Sequence, residues 1–289
     1  NPMKLKYALI GALSAVGVAA LLAGGAGAAT LGVNTPALSL TPGRVAALPR
    51  QQGAAWAAYL ARSKAQEAAD KAALAAERRG LAQIPPPPQE GHGETMPLDK
   101  PDAWYATAQA RHVADVIVSF QTPAGGWGKN QRRDGAPRQR GQAYVADNIS
   151  KFLGPDDYDL PHDPQWNYVG TLDNNATTTE MRFLVRVAAQ APGPEGDAYR
   201  ASFLKGVRYL LDAQYPNGGW PQVWPLEGGY HDGVTYNDNA VALAAMTLAA
   251  AAAGRGDYGF VPRDVRAAAG EAAAKAVRVI LATQVRSGG

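Results

Sequence analysis

A phrase repeated along the chain restricts its possible folds more than any other feature. An amphipathic helix ends in Gln, and a short turn then delivers Gly-Gly-Trp. The first copy runs Gln121-Thr122-Pro123-Ala124-Gly125-Gly126-Trp127-Gly128-Lys129-Asn130, and the second Gln214-Tyr215-Pro216-Asn217-Gly218-Gly219-Trp220-Pro221-Gln222. A third, Gln284-Val285-Arg286-Ser287-Gly288-Gly289, reaches the Gly pair, and the Gln positions lie 93 and 70 residues apart. Helical periodicity precedes each copy. Val113, Val116, Ile117 and Phe120 fall at i, i+3, i+4, i+7; Phe203, Val207, Leu210 and Leu211 at i, i+4, i+7, i+8; Val277, Ile280 and Leu281 start the same stripe.

Each complete copy is followed by a polar cluster and another helix. Asp173-Asn174-Asn175 precedes ATTTEMRFLVRVAAQ, and Asn237-Asp238-Asn239 precedes AVALAAMTLAAAAAG. Asp and Asn at these points are expected as N-caps, because their side chains accept from free backbone N–H groups. Repetition of helix, Gly-Gly-Trp loop and capped helix means stacked supersecondary units. The expected fold is therefore all-α: an (α/α) toroid or incomplete α/α barrel with long loops. Segments alternating with period two are few, which disfavours a parallel β-helix.

The 289 residues include 32 Gly and 21 Pro, high for a compact domain but short of low-complexity disorder. Hydrophobic residues are 46% of the chain, enough for one sizeable core. A formal net charge of +3, spread without concentration, argues against a nucleic-acid partner. The absence of Cys excludes disulfides, thiolate metal sites and cysteine nucleophiles together.

Lys4 and Lys6 precede an apolar run from about Tyr7 to Leu22, which ends in small residues through Ala26-Gly27-Ala28. This pattern predicts a secretory signal peptide over 1–28 rather than a membrane anchor, and hence a secreted, extracellular protein. Residues 29–101 are expected to hold an Ala-rich peripheral helix, from about Gln52 to Gly80, that buries little area. An extended linker or edge wrap around Pro85 to Pro88 follows. The main domain is expected over 102–289.

In such a toroid the inner helices open at one face, where their free N–H groups attract anions. Asp173, Asp232 and Asp238 supply hard oxygen ligands suited to calcium, although they lack a contiguous calcium-loop spacing. His231, beside Asp232 in the Gly228–Gly233 loop, reads as a base, a ligand or a structural hydrogen-bond partner. Trp127 and Trp220 either stack on sugar rings or wedge between helices. Lys129 is a candidate for an anionic substrate group.

Three strings carry a resemblance: Trp127-Gly128-Lys129-Asn130, Thr171 to Leu184 (TLDNNATTTEMRFL) and Ala213 to Gln222 (AQYPNGGWPQ). Tyr230-His231-Asp232, with Thr235-Tyr236-Asn237-Asp238-Asn239-Ala240, belongs to the same match. The stretch from about Trp104 to Gly289 closely resembles the pectate lyases of polysaccharide lyase family 10. The resemblance implies a secreted bacterial enzyme with an (α/α)-toroid fold, acting as a monomer on polygalacturonate (pectate) by calcium-assisted β-elimination. It implies calcium or substrate-carboxylate ligation by Asp173, Asn174 and Asp238. Asp232 is a further metal candidate, and Lys129, Asn130, His231, Trp127 and Trp220 are substrate-binding candidates.

The family's base is an arginine in an Ala-Arg-x-Tyr-Glu segment beyond the third repeat, a position C-terminal of Gly289. Arg182 and Arg186 lie on a matching helix without being assigned that role. A non-catalytic polysaccharide-binding toroid and an inverting glycoside hydrolase on the same fold are the alternative readings.

Overall fold

The computed structural model describes residues 38–91, 93–146, 166, 168–234 and 236–284. The expected signal peptide lies outside these residues, as does the third repeat beyond Gln284. Seven α-helices occur among the described residues: α1 (Pro42–Ala46), α2 (Arg50–Arg78), α3 (Ala108–Ser119), α4 (Thr178–Ala189), α5 (Asp197–Ala213), α6 (Ala240–Ala253) and α7 (Arg263–Ala282). Two isolated bridges, Glu90 with Gln131 and Thr171 with Val223, are the extended pairings there. Among the described residues, no helix is long and apolar enough to cross a membrane.

Helices α4 and α5 pack as one pair and α6 and α7 as another. Helix α4 also touches α6, while α5 touches both α3 and α7. The outer layer is thus α3, α5 and α7, the inner layer α4 and α6, and the fold is an incomplete α/α toroid. Val113, Val116, Ile117 and Phe120 are all buried, as are Phe203, Val207 and Leu210, so the first two stripes face the core as expected. The third does not. In α7 the buried positions are Ala269, Ala272, Ala276 and Val279, while Val277 and Leu281 are exposed. Close packing of α7 on Ala-rich α6 leaves room for alanine at the contact and turns the larger side chains outward.

Outer helices α3 and α5 each hand over to a Gly-Gly-Trp loop, and the contacts of its Gln recur at both copies. Gln121 Nε2 donates to Gly125 O at 2.8 Å and to Ser202 O, on α5, at 2.9 Å. Gln214 Nε2 donates to Gly218 O at 3.0 Å and to Ala272 O, on α7, at 2.9 Å. The loop glutamines therefore tie α3 to α5 and α5 to α7. The first Gly of each pair has positive φ, +107° at Gly125 and +100° at Gly218. A Cβ there would lie 2.6 Å from the carbonyl oxygen of Lys205 or Lys275. Only Gly permits both the backbone conformation and the approach.

Trp127 and Trp220 are 0% and 1% exposed. Their indole N–H groups donate back to Ile117 O at 2.7 Å and Leu210 O at 2.8 Å. Of the two roles expected for these rings, the wedge is the one the structure supports, since both faces are covered by protein. Truncation of either to Ala would cost roughly 3–5 kcal/mol.

Helix α2 departs from the expectation of a peripheral helix. Tyr59, Ser63, Asp70 and Leu74 form a buried stripe. Tyr59 Oη donates to Ala213 O at 2.9 Å, and Ser63 Oγ accepts from Leu226 N at 2.8 Å. Residues 38–101 consequently pack in one compact unit with the repeats. The segment after the prolines wraps along the first loop: Gly91 N donates to Asn130 O, Arg132 N to Gln89 O, and Arg133 N to Thr95 Oγ1.

Candidate active site

The polar clusters preceding the inner helices do not cap them. Neither α4 nor α6 receives a side-chain cap hydrogen bond. Instead Asp173–Asn175 and Asn237–Asn239 each form a single 3₁₀ turn, with left-handed backbone at Asn174 and Asn175 and at Asp238 and Asn239. Thr177 also has positive φ. Asn and Asp tolerate this region better than other non-Gly residues, yet four such positions in two short turns, with Thr177 after the first, store strain. The reward is orientation: side chains released from capping face one another.

Asn174 N donates to Asp238 Oδ2 at 3.4 Å, and Asn174 Nδ2 to Asn130 Oδ1 at 2.8 Å. Asn237 Nδ2 reaches Asp238 Oδ2 at 3.2 Å and Asp173 Oδ1 at 3.5 Å. Lys129 Nζ donates to Asp173 Oδ2 at 2.5 Å and lies 3.6 Å from the centre of the Tyr168 ring. Burial pushes the Asp173 carboxyl above its ordinary range. Lys129 opposes that shift, and the adjacent Asp238 carboxylate adds to it. Lys129, Asn130, Asp173, Asn174 and Asp238 are thus one constellation, contributed by the first Gly-Gly-Trp loop and both inner-helix turns.

Backbone bonds hold these loops together. Thr171 N donates to Trp127 O, Leu172 N to Gln222 O, and Gln222 N to His231 O, all at 2.8 or 2.9 Å. Thr177 Oγ1 accepts from Trp127 N at 3.0 Å and donates to Thr171 O at 2.8 Å. Residues Asn130, Asn174 and Asp238 line a cavity of about 390 Å³, as do Gly93, Met96, Gln131 and Glu180.

Of the readings expected for His231, the structure shows the hydrogen-bond partner, and it gives the Asp232 carboxylate backbone donors. The His231 ring is buried, with Nδ1 3.0 Å from Gln222 Oε1. Gln222 Nε2 in turn donates to Asn237 Oδ1 at 2.8 Å, with Asp173 Oδ1 at 3.5 Å. His231 therefore meets the Gln222 side chain that reaches Asn237, and its ring packs edge-on against Tyr168. The Asp232 carboxylate accepts from Leu40 N at 2.6 Å and Gly228 N at 3.1 Å, which ties the loop to the start of the described chain. The expected trio of Asp173, Asp232 and Asp238 is not a metal cluster: among the described residues no three His, Cys, Asp or Glu side chains converge. Thr235, within the same matched string, lies outside the described residues.

Gln222 and Asn237 were visible as the last residue of the second loop motif and the first of the second cluster, but nothing in their spacing marked them as a relay. The Arg133–Glu180 ion pair, at 2.9 Å with both side chains buried, was also missed.

A family model for pectic acid lyase matches residues 121–289. The chain belongs to the pectic acid lyase family. No curated protein matches it. Two solved structures similar to this lyase-family chain are a family 10 polysaccharide lyase from Cellvibrio cellulosa and an Asp-to-Ala mutant of that protein in complex with trigalacturonic acid. The first is 30% identical over 66% of this chain, with a TM-score of 0.49. The second is 28% identical over 68% of this chain, again with a TM-score of 0.49. This member of the pectic acid lyase family spans about half the length of those relatives, 51% and 53% respectively.

Proposed function

We propose that this chain is a secreted pectate lyase unit that binds polygalacturonate across the Lys129–Asp173–Asp238 constellation, where calcium-assisted β-elimination cleaves the α-1,4 link. The observation that carries the reading is this convergence, of which Asn130, Asn174 and Asp238 line a cavity, in a chain of the pectic acid lyase family. The C6 carboxylate of a galacturonate unit acidifies its C5 proton. When a base removes that proton, the bonding pair forms the C4–C5 double bond, and O4 departs and takes up a proton. Lys129 holds a positive charge where the substrate carboxylate enters. The Asn130 and Asn174 amides orient hydroxyl or carboxylate oxygens by donating and accepting. None of these residues is assigned as the base.

The donor set fits calcium. Asp173 and Asp238 are hard oxygen donors close enough to raise the Asp173 carboxyl, so the pair carries more negative charge than Lys129 offsets. Asp173 and Asp238, with the Asn130 amide oxygen, would hold the ion. Bound there, calcium would neutralise substrate carboxylate charge as the C5 proton becomes more acidic. The same closeness argues against inverting hydrolysis by this pair, since those carboxyl groups stand roughly 6.5–9.5 Å apart to admit water. The opening 1–28 segment supports export. A secreted form beginning at Ala29, read by mass spectrometry, tests that part.

Electrophoresis through a polygalacturonate gel, with and without calcium, tests the binding reading. Retardation that strengthens with calcium and is lost in Asp238→Ala is the expected result; identical migration with and without the polymer overturns it. Unsaturated products absorbing near-ultraviolet light at alkaline pH are expected in the parallel activity assay. Reducing ends without that absorbance would overturn elimination in favour of hydrolysis.

A further inference from the structure

A side-chain amide or an imidazole can present either a donor or an acceptor to a given neighbour, and its partners decide which. The Asp173 and Asp238 carboxylates only accept. The Asn237 group that lies 3.2 Å from Asp238 Oδ2 and 3.5 Å from Asp173 Oδ1 is therefore its NH₂. Asn237 Oδ1 then faces Gln222 and needs a donor, which Gln222 Nε2 supplies at 2.8 Å. The same nitrogen lies 3.5 Å from Asp173 Oδ1, where an amide oxygen would repel the carboxylate. With Gln222 turned this way, its Oε1 faces His231 Nδ1 at 3.0 Å. A bare nitrogen there would set two buried acceptors against each other, so Nδ1 carries the hydrogen.

The chain consequently runs in one direction: His231 Nδ1–H to Gln222, Gln222 Nε2–H to Asn237, and Asn237 Nδ2–H to both carboxylates. Its first two members are held in place. Gln222 and His231 are each 2% exposed. The Gln222 backbone donates to His231 O at 2.9 Å and accepts from Leu172 N and Thr171 Oγ1, each at 2.8 Å. The His231 ring packs against Tyr168 and Tyr230, with centroids 4.8 and 4.0 Å away. Two acidic side chains facing each other repel unless a donor or a cation stands between them. Asn237 supplies that donor, and the chain behind it fixes which way the amide points.

We propose that His231, bearing hydrogen at Nδ1, and Gln222 are positioning residues whose one-way chain of donors holds the Asn237 amide between Asp173 and Asp238, and so sets the spacing of that pair for a cation and substrate. The proposal rests on the pectate reading above and deepens it. Both residues act through Asn237, which separates their role from that of Lys129.

Two measurements on the full chain test this. Long-range 1H–15N spectra at pH 8 read the tautomers of its four histidines, with the His231 signal assigned by its loss in His231→Asn. Hydrogen on Nδ1 is expected, and an Nε2–H tautomer overturns the chain. Retardation in polygalacturonate gels across a calcium titration reads the positioning. Asn can set an amide donor where Nδ1 stands, whereas Leu keeps more of the ring's volume and offers no donor. His231→Asn should stay within about threefold of wild type, while His231→Leu and Gln222→Met should each need about tenfold more calcium. A packing role alone predicts the opposite order, with Leu nearer wild type than Asn. That order, or equal losses, overturns the proposal. Should Gln222→Met fail to fold, the wild-type tautomer and the two His231 variants still decide. An Nδ1–H signal without retardation of the wild type refutes the pectate reading alone, whereas calcium-dependent retardation with an Nε2–H signal refutes the chain alone.

Discussion

Replacing Asp70 by Asn is expected to stabilise the protein at neutral pH and to leave it unchanged near pH 4. Asp70 lies on α2 with no exposed surface. Its Oδ1 accepts from Gln66 Nε2 at 2.6 Å, while Oδ2 has no partner. Burial pushes the carboxyl up from 3.8 to about 6. Gln66, the Ala124 N–H of the first loop and the Lys205 ammonium oppose the rise without cancelling it. The folded state therefore holds the proton more tightly than the unfolded chain does. Stability from this group is fully present below pH 3.8 and is lost as pH rises to about 6. The interval corresponds to on the order of 3 kcal/mol, reduced by solvent relaxation near Lys205 to about 2 kcal/mol. In a domain of this size that is a rise of about 4–8 °C in Tm for Asp70→Asn at pH 8, shrinking to nothing near pH 4. Calorimetric melts of both proteins across pH 4–8 measure it. A constant offset between the two curves at every pH would show that Asp70 is not buried as a strained carboxylate.

Three further outcomes follow from the geometry. Gly125→Ala and Gly218→Ala should each cost more than about 1 kcal/mol, by nearly equal amounts, because both place a Cβ at positive φ against a carbonyl 2.6 Å away; urea denaturation reads the pair. Arg133→Met should cost about 3–5 kcal/mol by leaving Glu180 buried and unpaired, while Arg133→Met with Glu180→Gln should recover much of that in the same assay. Lys129→Met should weaken polygalacturonate retention by about tenfold, the value of one charge-assisted hydrogen bond, without shifting the melting temperature by more than a few degrees.

The repeat was legible because its chemistry is local. A helix stripe, a Gln and two glycines sit within about ten residues, and each contact they make recurs at the second copy. The inner helices were legible for the same reason, whereas Asn130 and Asn174 were singled out through the family resemblance, since the partners they meet lie 44 and 64 residues away. Helix α2 was expected as a helix, but its packing was not legible, since its buried stripe is Tyr59, Ser63, Asp70 and Leu74, and only one of these is an aliphatic side chain that a periodicity search rewards. The stripe of α7 misled because alanine does the packing against α6. Asp232 misled because the partner of its carboxylate, Leu40 N, lies 192 residues away. The tryptophans were undecidable from sequence, for indole suits a sugar platform and a core wedge equally well; what decides is the N–H donated to a carbonyl ten residues back.

The strained turns before α4 and α6 link that repetition to function. An ordinary N-cap at Asp173 or Asp238 would have satisfied a helix terminus and stabilised it by about 1 kcal/mol. Both helices forgo that bond, and both do so by the same device: consecutive left-handed residues at corresponding positions of the two turns. A structural demand would not produce this, because a cap meets that demand at lower cost. The gain is that two acidic side chains from different repeats meet beside a lysine that a Gly-Gly-Trp loop delivers. Repetition of the outer framework fixes where the inner helices begin, and the left-handed turns direct the side chains before them away from their own helices and toward one another. If Asn174→Gly and Asp238→Gly both raised stability by relieving positive φ, and only the second abolished the calcium dependence of polygalacturonate retention, the backbone strain and the carboxylate would be separated as causes. Lowered stability in Asn174→Gly would show instead that the turn is held by the Asn174 side-chain bond to Asn130, and the strain argument would fail.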